Sequence, residues 1–233
     1  MSNIKKPQLF LLHFAGGNCY SFQFMIPLLR EFDVIPIELP GRGKRSGESL
    51  LRNFNTAAKD VFEQICIRLT TGRFLIYGHS MGAYLGLEAA HMLEKEGRSP
   101  AYLIVSGNAG PGTGDDRYIH LMDHENFIAE LERLGGVPRE VLENDELLAF
   151  FDPILRADFE IAEKNGIERG SAIDAPLYAM MGSQEEKKDR ICNWANFTRA
   201  EFTSEILDGD HFFIQRHSHR IAAIFKECYN KRK

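Results

Sequence analysis

Gly78-His79-Ser80-Met81-Gly82 sets a serine hydroxyl between two glycines, directly after the apolar run Phe74–Tyr77 and at the start of a stretch with helical periodicity. A strand, tight turn and helix in that order force the serine into a strained backbone conformation and lift its Oγ clear of the sheet, where it can attack an acyl carbon. The Met81 N–H, at the helix start, would face developing negative charge. The plainer reading makes Ser80 a helix cap and the glycines packing spacers. A serine hydroxyl is a weak nucleophile at neutral pH and needs a base held against it. His211, in Gly209-Asp210-His211-Phe212-Phe213 between the last strand and the closing helix, is the candidate base. His217 and His219 fall in the helix that follows and His79 in the turn itself, so those three read as structural or solvent-facing.

An imidazole base needs a carboxylate to hold its tautomer and to stabilise the imidazolium. The loop after Leu177–Met181 reads Gly182-Ser183-Gln184-Glu185-Glu186-Lys187-Lys188-Asp189 and offers Glu185, with Glu186 as the alternative. Taken alone, the same run is an ordinary solvated charge cluster. A second donor for an oxyanion is expected from the loop His13-Phe14-Ala15-Gly16-Gly17, whose glycines allow close backbone approach and whose N–H near Ala15 could face a carbonyl oxygen.

These groups need a frame. Gln8–His13, Val34–Glu38, Phe74–Tyr77, Ala101–Ser106, Leu177–Met181 and Glu201–Leu207 read as strands. Between them lie a helix-like stretch Phe22–Glu31, the stripe Phe54, Ala57, Ala58, Val61, Phe62, Ile65, Leu69, and a helix from Gly82 to about Glu96. A closing helix carries Ile214, Ile221, Ala222, Phe225 and Cys228. Alternation of this kind predicts an α/β fold, a mostly parallel central sheet with helices on both faces. Residues of about 115–170 break the pattern: they hold helical stripes, including Leu147, Leu148, Phe151, Ile154, Leu155, Phe159 and Ala162, and no convincing strand. That length is too great for a connection and predicts an inserted helical lid on a single domain spanning 1–233. Pro153 is expected to kink or break the lid helix.

The 233 residues carry 28 Lys and Arg against 33 Asp and Glu, a net charge of −5, which argues against nucleic acid or an anionic membrane as partner. Cys19, Cys66, Cys192 and Cys228 lack metal-ligand spacing and read as idle thiols of a reducing compartment. The first residues have no apolar core of a secretion signal, and no run approaches the ~20 apolar residues of a membrane span. A soluble cytoplasmic protein is expected, and a monomer, because the apolar stripes are used by core and lid.

Together these residues resemble the type II thioesterases, stand-alone α/β-hydrolases that accompany nonribosomal peptide and polyketide synthases, over nearly the whole chain. The likeness is carried by Ala15–Gly17 after the first strand; by Leu39-Pro40-Gly41-Arg42-Gly43 with Arg45 and Glu48; and by Gly78–Ala83. In the lid it is carried by Phe127, Leu131, Leu134-Gly135-Gly136, Pro138 and above all Pro153-Ile154-Leu155-Arg156-Ala157-Asp158-Phe159. Trp194 and His211-Phe212-Phe213 add to it. The resemblance implies hydrolysis of acyl groups from the phosphopantetheine arm of an acyl or peptidyl carrier protein, with no metal or dissociable cofactor. It casts Ser80 as nucleophile, His211 as base, and the Ala15 and Met81 N–H groups as the oxyanion hole. The lid would contain the substrate-binding residues. Two departures stand out: His13 replaces a proline, and Gly182-Ser183-Gln184-Glu185-Glu186 replaces an Asp-containing segment. The second leaves Glu185, Glu186 or a relocated acid open. The same triad would serve an esterase or an acyltransferase, and a decayed triad would serve a non-catalytic binding protein. Arg42, Lys44 and Arg45 either attract an acidic carrier or pair locally to fix their loop.

Overall fold

In the computed structural model, which describes residues 5–114, 117–168 and 171–231, the six apolar runs become strands. These are β1 (Gln8–Leu12), β2 (Asp33–Ile37), β3 (Phe74–His79), β4 (Tyr102–Ser106), β5 (Leu177–Gly182) and β6 (Phe202–Leu207). They form one sheet in the order β2-β1-β3-β4-β5-β6, and every neighbouring pair is parallel. Parallel pairing brings all six carboxyl ends to one edge, so residues far apart in sequence meet there. Side chains alternate between the two faces. Phe10 and Leu12 pack with α1 (Phe54–Arg68) and α2 (Met81–Lys95), while Leu9 and Leu11 pack with α6 (Ser218–Lys231) on the opposite face. The α1 stripe buries Phe54, Ala57, Ala58, Val61 and Ile65, and the Asn53 side chain caps the helix by accepting from the Thr56 N–H.

Two expectations are corrected. Phe22–Glu31 is a chain of turns with one short 3-10 segment, Ile26–Leu28, rather than a helix. Its hydrogen bonds run between residues three apart, Met25 N to Phe22 O, Leu28 N to Met25 O and Leu29 N to Ile26 O, and Pro27 has no N–H to give. The apolar spacing nonetheless buries Phe22, Met25 and Leu29. Conversely, α5 (Asp145–Glu163) runs through Pro153 unbroken. Pro153 and Ala149, whose carbonyl loses its partner, are both exposed, so water can satisfy that carbonyl, while Leu148, Ile154, Leu155 and Ile161 anchor the helix on either side. A smaller difference concerns His217, which precedes α6 and has its Nε2 2.7 Å from the Asp208 carbonyl oxygen, whereas His219 lies within the helix and is exposed.

Between β4 and β5 the described residues contain α3 (His124–Leu134), α4 (Arg139–Leu142), α5 and a 3-10 turn at Ile119–Leu121, and no strand. Residues 115, 116, 169 and 170, at the limits of the expected lid, lie outside the described residues. This segment has a small core of its own, with Phe127, Leu131 and Leu155 packed among Ile119, Met122, Val137, Leu142, Phe151 and Phe159. Leu147 of the anticipated stripe is exposed instead. The Arg156 guanidinium lies over the Phe127 ring at 4.1 Å and donates to the carbonyls of His120 and Met122, tying α5 to the turn before α3. All four cysteines are free thiols, and no described helix is long and apolar enough to cross a membrane.

Candidate active site

The strand ends converge on a cavity of about 530 Å³. Ala15 follows β1, Ser80 follows β3, Glu185 follows β5 and His211 follows β6, and all four line it together with Met81. The helical segment supplies the facing wall through Ile119, Leu131, Leu134, Val137, Leu155 and Phe159. The same segment also lines the cavity with Arg117, Glu130, Arg133 and Glu163, so its wall mixes apolar and charged side chains opposite the polar groups where the sheet ends.

Ser80 has φ 54° and ψ −116°, a left-handed conformation that costs a non-glycine residue free energy and is characteristic of functional turns. Its N–H donates to the Ser106 carbonyl at 2.7 Å, and its own carbonyl accepts from the Asn108 side chain at 2.7 Å and from the Ala83 N–H at 3.0 Å. These bonds hold the strained residue between the ends of β3 and β4. Its side chain makes no capping bond to α2, contrary to the plain helix-cap alternative. Gly82 is required by a close approach: a β-carbon there would overlap the Leu12 and His13 backbone, so the helix could not start against β1. Met81 opens α2, placing its N–H among the unpaired donors of the first helical turn.

His211 Nδ1 lies 2.9 Å from Glu185 Oε2. Glu185 is fixed in turn because its Oε1 accepts from the Gly182 N–H at 2.8 Å. The two loops are also joined by their backbones, Ser183 N–H to Leu207 O at 2.7 Å and Gln184 N–H to Gly209 O at 2.9 Å, so the parallel ladder of β5 and β6 continues into the site. With Nδ1 turned to Glu185, the imidazole presents Nε2 as its other edge. Glu186 points elsewhere. It is exposed and pairs with Arg117 and Arg133 of the helical segment at 2.5 and 3.1 Å. The side chain that reaches the histidine is therefore Glu185.

His79 is fully buried beneath His211, their ring centroids 5.0 Å apart, and its Nδ1 is 2.8 Å from Ser106 Oγ, which also contacts the Tyr77 hydroxyl at 2.8 Å. Burial, with the neighbouring His211 second, pushes the His79 pKa well below its ordinary value, keeping that ring neutral. One side chain escaped the sequence reading. Asn108 secures the Ser80 carbonyl and accepts from the Gly110 N–H, and its own carbonyl takes the Trp194 indole N–H at 3.0 Å. Nothing but its position after β4 marks it in sequence. Arg42 and Arg45 are both engaged within the chain: Arg45 pairs nearby with Glu48 and Asp60, whereas Arg42 is buried against the distant Asp158 of α5. That leaves Lys44 alone of the three as an exposed cation of its loop.

A family model described as the thioesterase domain matches residues 7–229. The chain belongs to the thioesterase family. It is 31% identical to thioesterase PikA5 of Streptomyces venezuelae over 91% of this chain and 76% of that protein. It is also 32% identical to the gramicidin S biosynthesis protein GrsT of Aneurinibacillus migulanus, over 92% of this chain and 85% of the other. Among solved structures, the type II thioesterase BorB from the borrelidin biosynthetic cluster superposes with a TM-score of 0.88 at 28% identity, covering 98% of this chain and 94% of that one. This thioesterase therefore has the fold and the serine-hydrolase class expected of it, and its similar structures include type II thioesterases such as those of the borrelidin cluster and the yersiniabactin NRPS/PKS pathway.

Proposed function

We propose that this thioesterase hydrolyses acyl groups from the phosphopantetheine arm of carrier proteins, using Ser80, His211 and Glu185. The observation that carries the reading is the Glu185–His211 contact on the same cavity as the strained Ser80. Ser80 Oγ attacks the thioester carbonyl as His211 Nε2 takes its proton, and Glu185 stabilises the imidazolium. The N–H groups of Ala15 and Met81 receive the oxyanion. Collapse of the tetrahedral intermediate expels the pantetheine sulfur, which takes the proton from His211. Water, deprotonated by the same nitrogen, then attacks the acyl-serine and releases the acid. The apolar wall from Leu131 to Phe159 would shelter the acyl chain, and the reaction as proposed uses no metal or cofactor beyond the partner's own arm. The relatives' place in synthase pathways supports a carrier protein as partner, and the cytoplasm, as a monomer, is the setting proposed.

The test is release of free acid from acetyl- and longer acyl-carrier proteins, with and without an added amine. Free acid as the product in both conditions supports the proposal. Carrier thioesters that survive while simple esters are cleaved would refute it, and an amide formed at the expense of acid would make the protein an acyltransferase.

A further inference from the structure

Asp158, on α5, is completely buried, yet its carboxylate reaches out of the helical segment into the loop after β1. Arg42 grips it with both terminal nitrogens, Nη1 to Oδ2 and Nη2 to Oδ1, the latter at 2.7 Å. Oδ2 also accepts the Gly16 N–H at 2.8 Å, and Arg42 Nη1 lies 3.4 Å from the Gly17 carbonyl oxygen. One turn earlier on α5, Leu155 covers Gly16. That residue has φ +75°, and a β-carbon on it would come within 2.5 Å of Leu155 Cδ2. Two consecutive residues of the loop are thereby oriented. The Phe14 carbonyl accepts the Gly17 N–H at 2.9 Å and lies 2.9 Å from His13 Nδ1. Because the intervening peptide is trans and planar, the Ala15 N–H is turned the opposite way. The next N–H, that of Gly16, is drawn off to Asp158.

We propose that Asp158, on α5, and Arg42, in the loop after β2, are positioning residues: together they set the Ala15 N–H for the oxyanion, so that this donor is in place only while α5 is seated on the loop. The inference rests on Ala15 being an oxyanion donor as proposed above. A pair retained for stability alone has no need of the loop contact, since apolar residues of similar volume commonly replace a buried ion pair without loss. Here the third bond of the carboxylate goes to the backbone beside the reaction.

The experiment compares wild type with the double variant Arg42→Met/Asp158→Leu, which removes both charges together, and with Asp158→Asn. Each is measured for melting temperature, kcat and KM on an acyl-pantetheine thioester, and affinity for a short-chain trifluoromethyl ketone. Ser80 Oγ adds to that ketone's carbonyl carbon, giving its proton to His211, and leaves an oxyanion in the hole. Losing one oxyanion donor costs about 10²- to 10³-fold in kcat, so a donor only misplaced is expected to cost about 10- to 100-fold. The proposal expects that fall in kcat, KM within about two-fold, and ketone affinity reduced in step, in protein still folded at the assay temperature. Folded variants with wild-type kcat and ketone affinity would overturn it, as would losses that only follow the unfolded fraction; Asp158→Asn decides if the double variant does not fold. A wild type that binds the ketone but spares carrier thioesters overturns the substrate reading and leaves this test intact. A wild type that binds no ketone overturns both.

Discussion

Glu185 and Glu186 are adjacent and chemically identical, and only their surroundings separate them. Glu185 is clamped between the Gly182 N–H and His211, whereas the exposed Glu186 spans the half-buried Arg117 and the exposed Arg133 in surface ion pairs that contribute little. Glu185→Gln should lower kcat by about 10²- to 10⁴-fold, because the wrong imidazole tautomer is then favoured. Glu186→Gln should stay within about two-fold, and steady-state rates for the two variants check the pair. The reverse ranking would move the acid to Glu186. Sequence could take the argument only as far as these two residues. Spacing after β5 names both, but the choice depends on how the loop folds back on the end of β6, which no local pattern records. Ser80 and His211 were legible because each sits at a punctuated strand end. Asn108 was not, because a side chain that bonds a distant backbone carbonyl has no periodicity of its own.

Elements were legible where burial has a clean period and less so where proline competes with packing. The six strands appear within a residue or two of their apolar runs. The stretch Phe22–Glu31 was misread because apolar residues three and four apart suit a series of turns as well as a helix, and only the hydrogen bonds distinguish them. At Pro153 the local rule lost to tertiary anchoring. The helix continues because its buried face is fixed against the rest of the segment, and the broken hydrogen bond faces water. Pro153→Ala should therefore restore one helical bond and raise stability by about 1–3 kcal/mol, since proline costs roughly 3 kcal/mol in a helix interior. Urea denaturation of the two proteins checks this, and a lower midpoint in the variant would show that Pro153 has a compensating role. In contrast, Leu131→Ala in the small core beside the cavity should cost about 2–5 kcal/mol. The same denaturation series reads it, and a loss below 1 kcal/mol would mean that this core is not packed as described.

At the scale of the whole molecule, one parallel sheet places the four loops that carry the site at a common edge, and the helical segment walls the cavity they surround. The α/β class and the helical nature of that segment followed from the order of strands and stripes. The buried contact of Arg42 with Asp158, 116 residues away in sequence, did not. Buried imidazoles give the assembly a pH dependence. His79 and His13 both have lowered pKa values, in each case chiefly from burial, with the charge of His211 and of Arg42 respectively adding to it. Below about pH 6.5 the unfolded chain takes up protons that the folded chain refuses. Stability should therefore be full above pH 6.5 and decline as pH falls below it, by up to about 1.4 kcal/mol per pH unit for each histidine, until the folded-state values are passed. Urea midpoints at pH 7.5 and 5.5 check this, with His79→Gln expected to reduce the slope; equal midpoints for the wild type would contradict it.

The central claim, that an acyl group passes through Ser80 under the control of His211 and Glu185, is tested most directly by intact-protein and peptide mass spectrometry. Enzyme is quenched milliseconds to seconds after mixing with an acyl-carrier thioester. The account predicts an acyl mass on the peptide containing Ser80, formed and lost in the wild type, slowed in Glu185→Gln, and absent in Ser80→Ala and His211→Ala. Acylation of a different residue, or free acid released at the wild-type rate by Ser80→Ala, would contradict it.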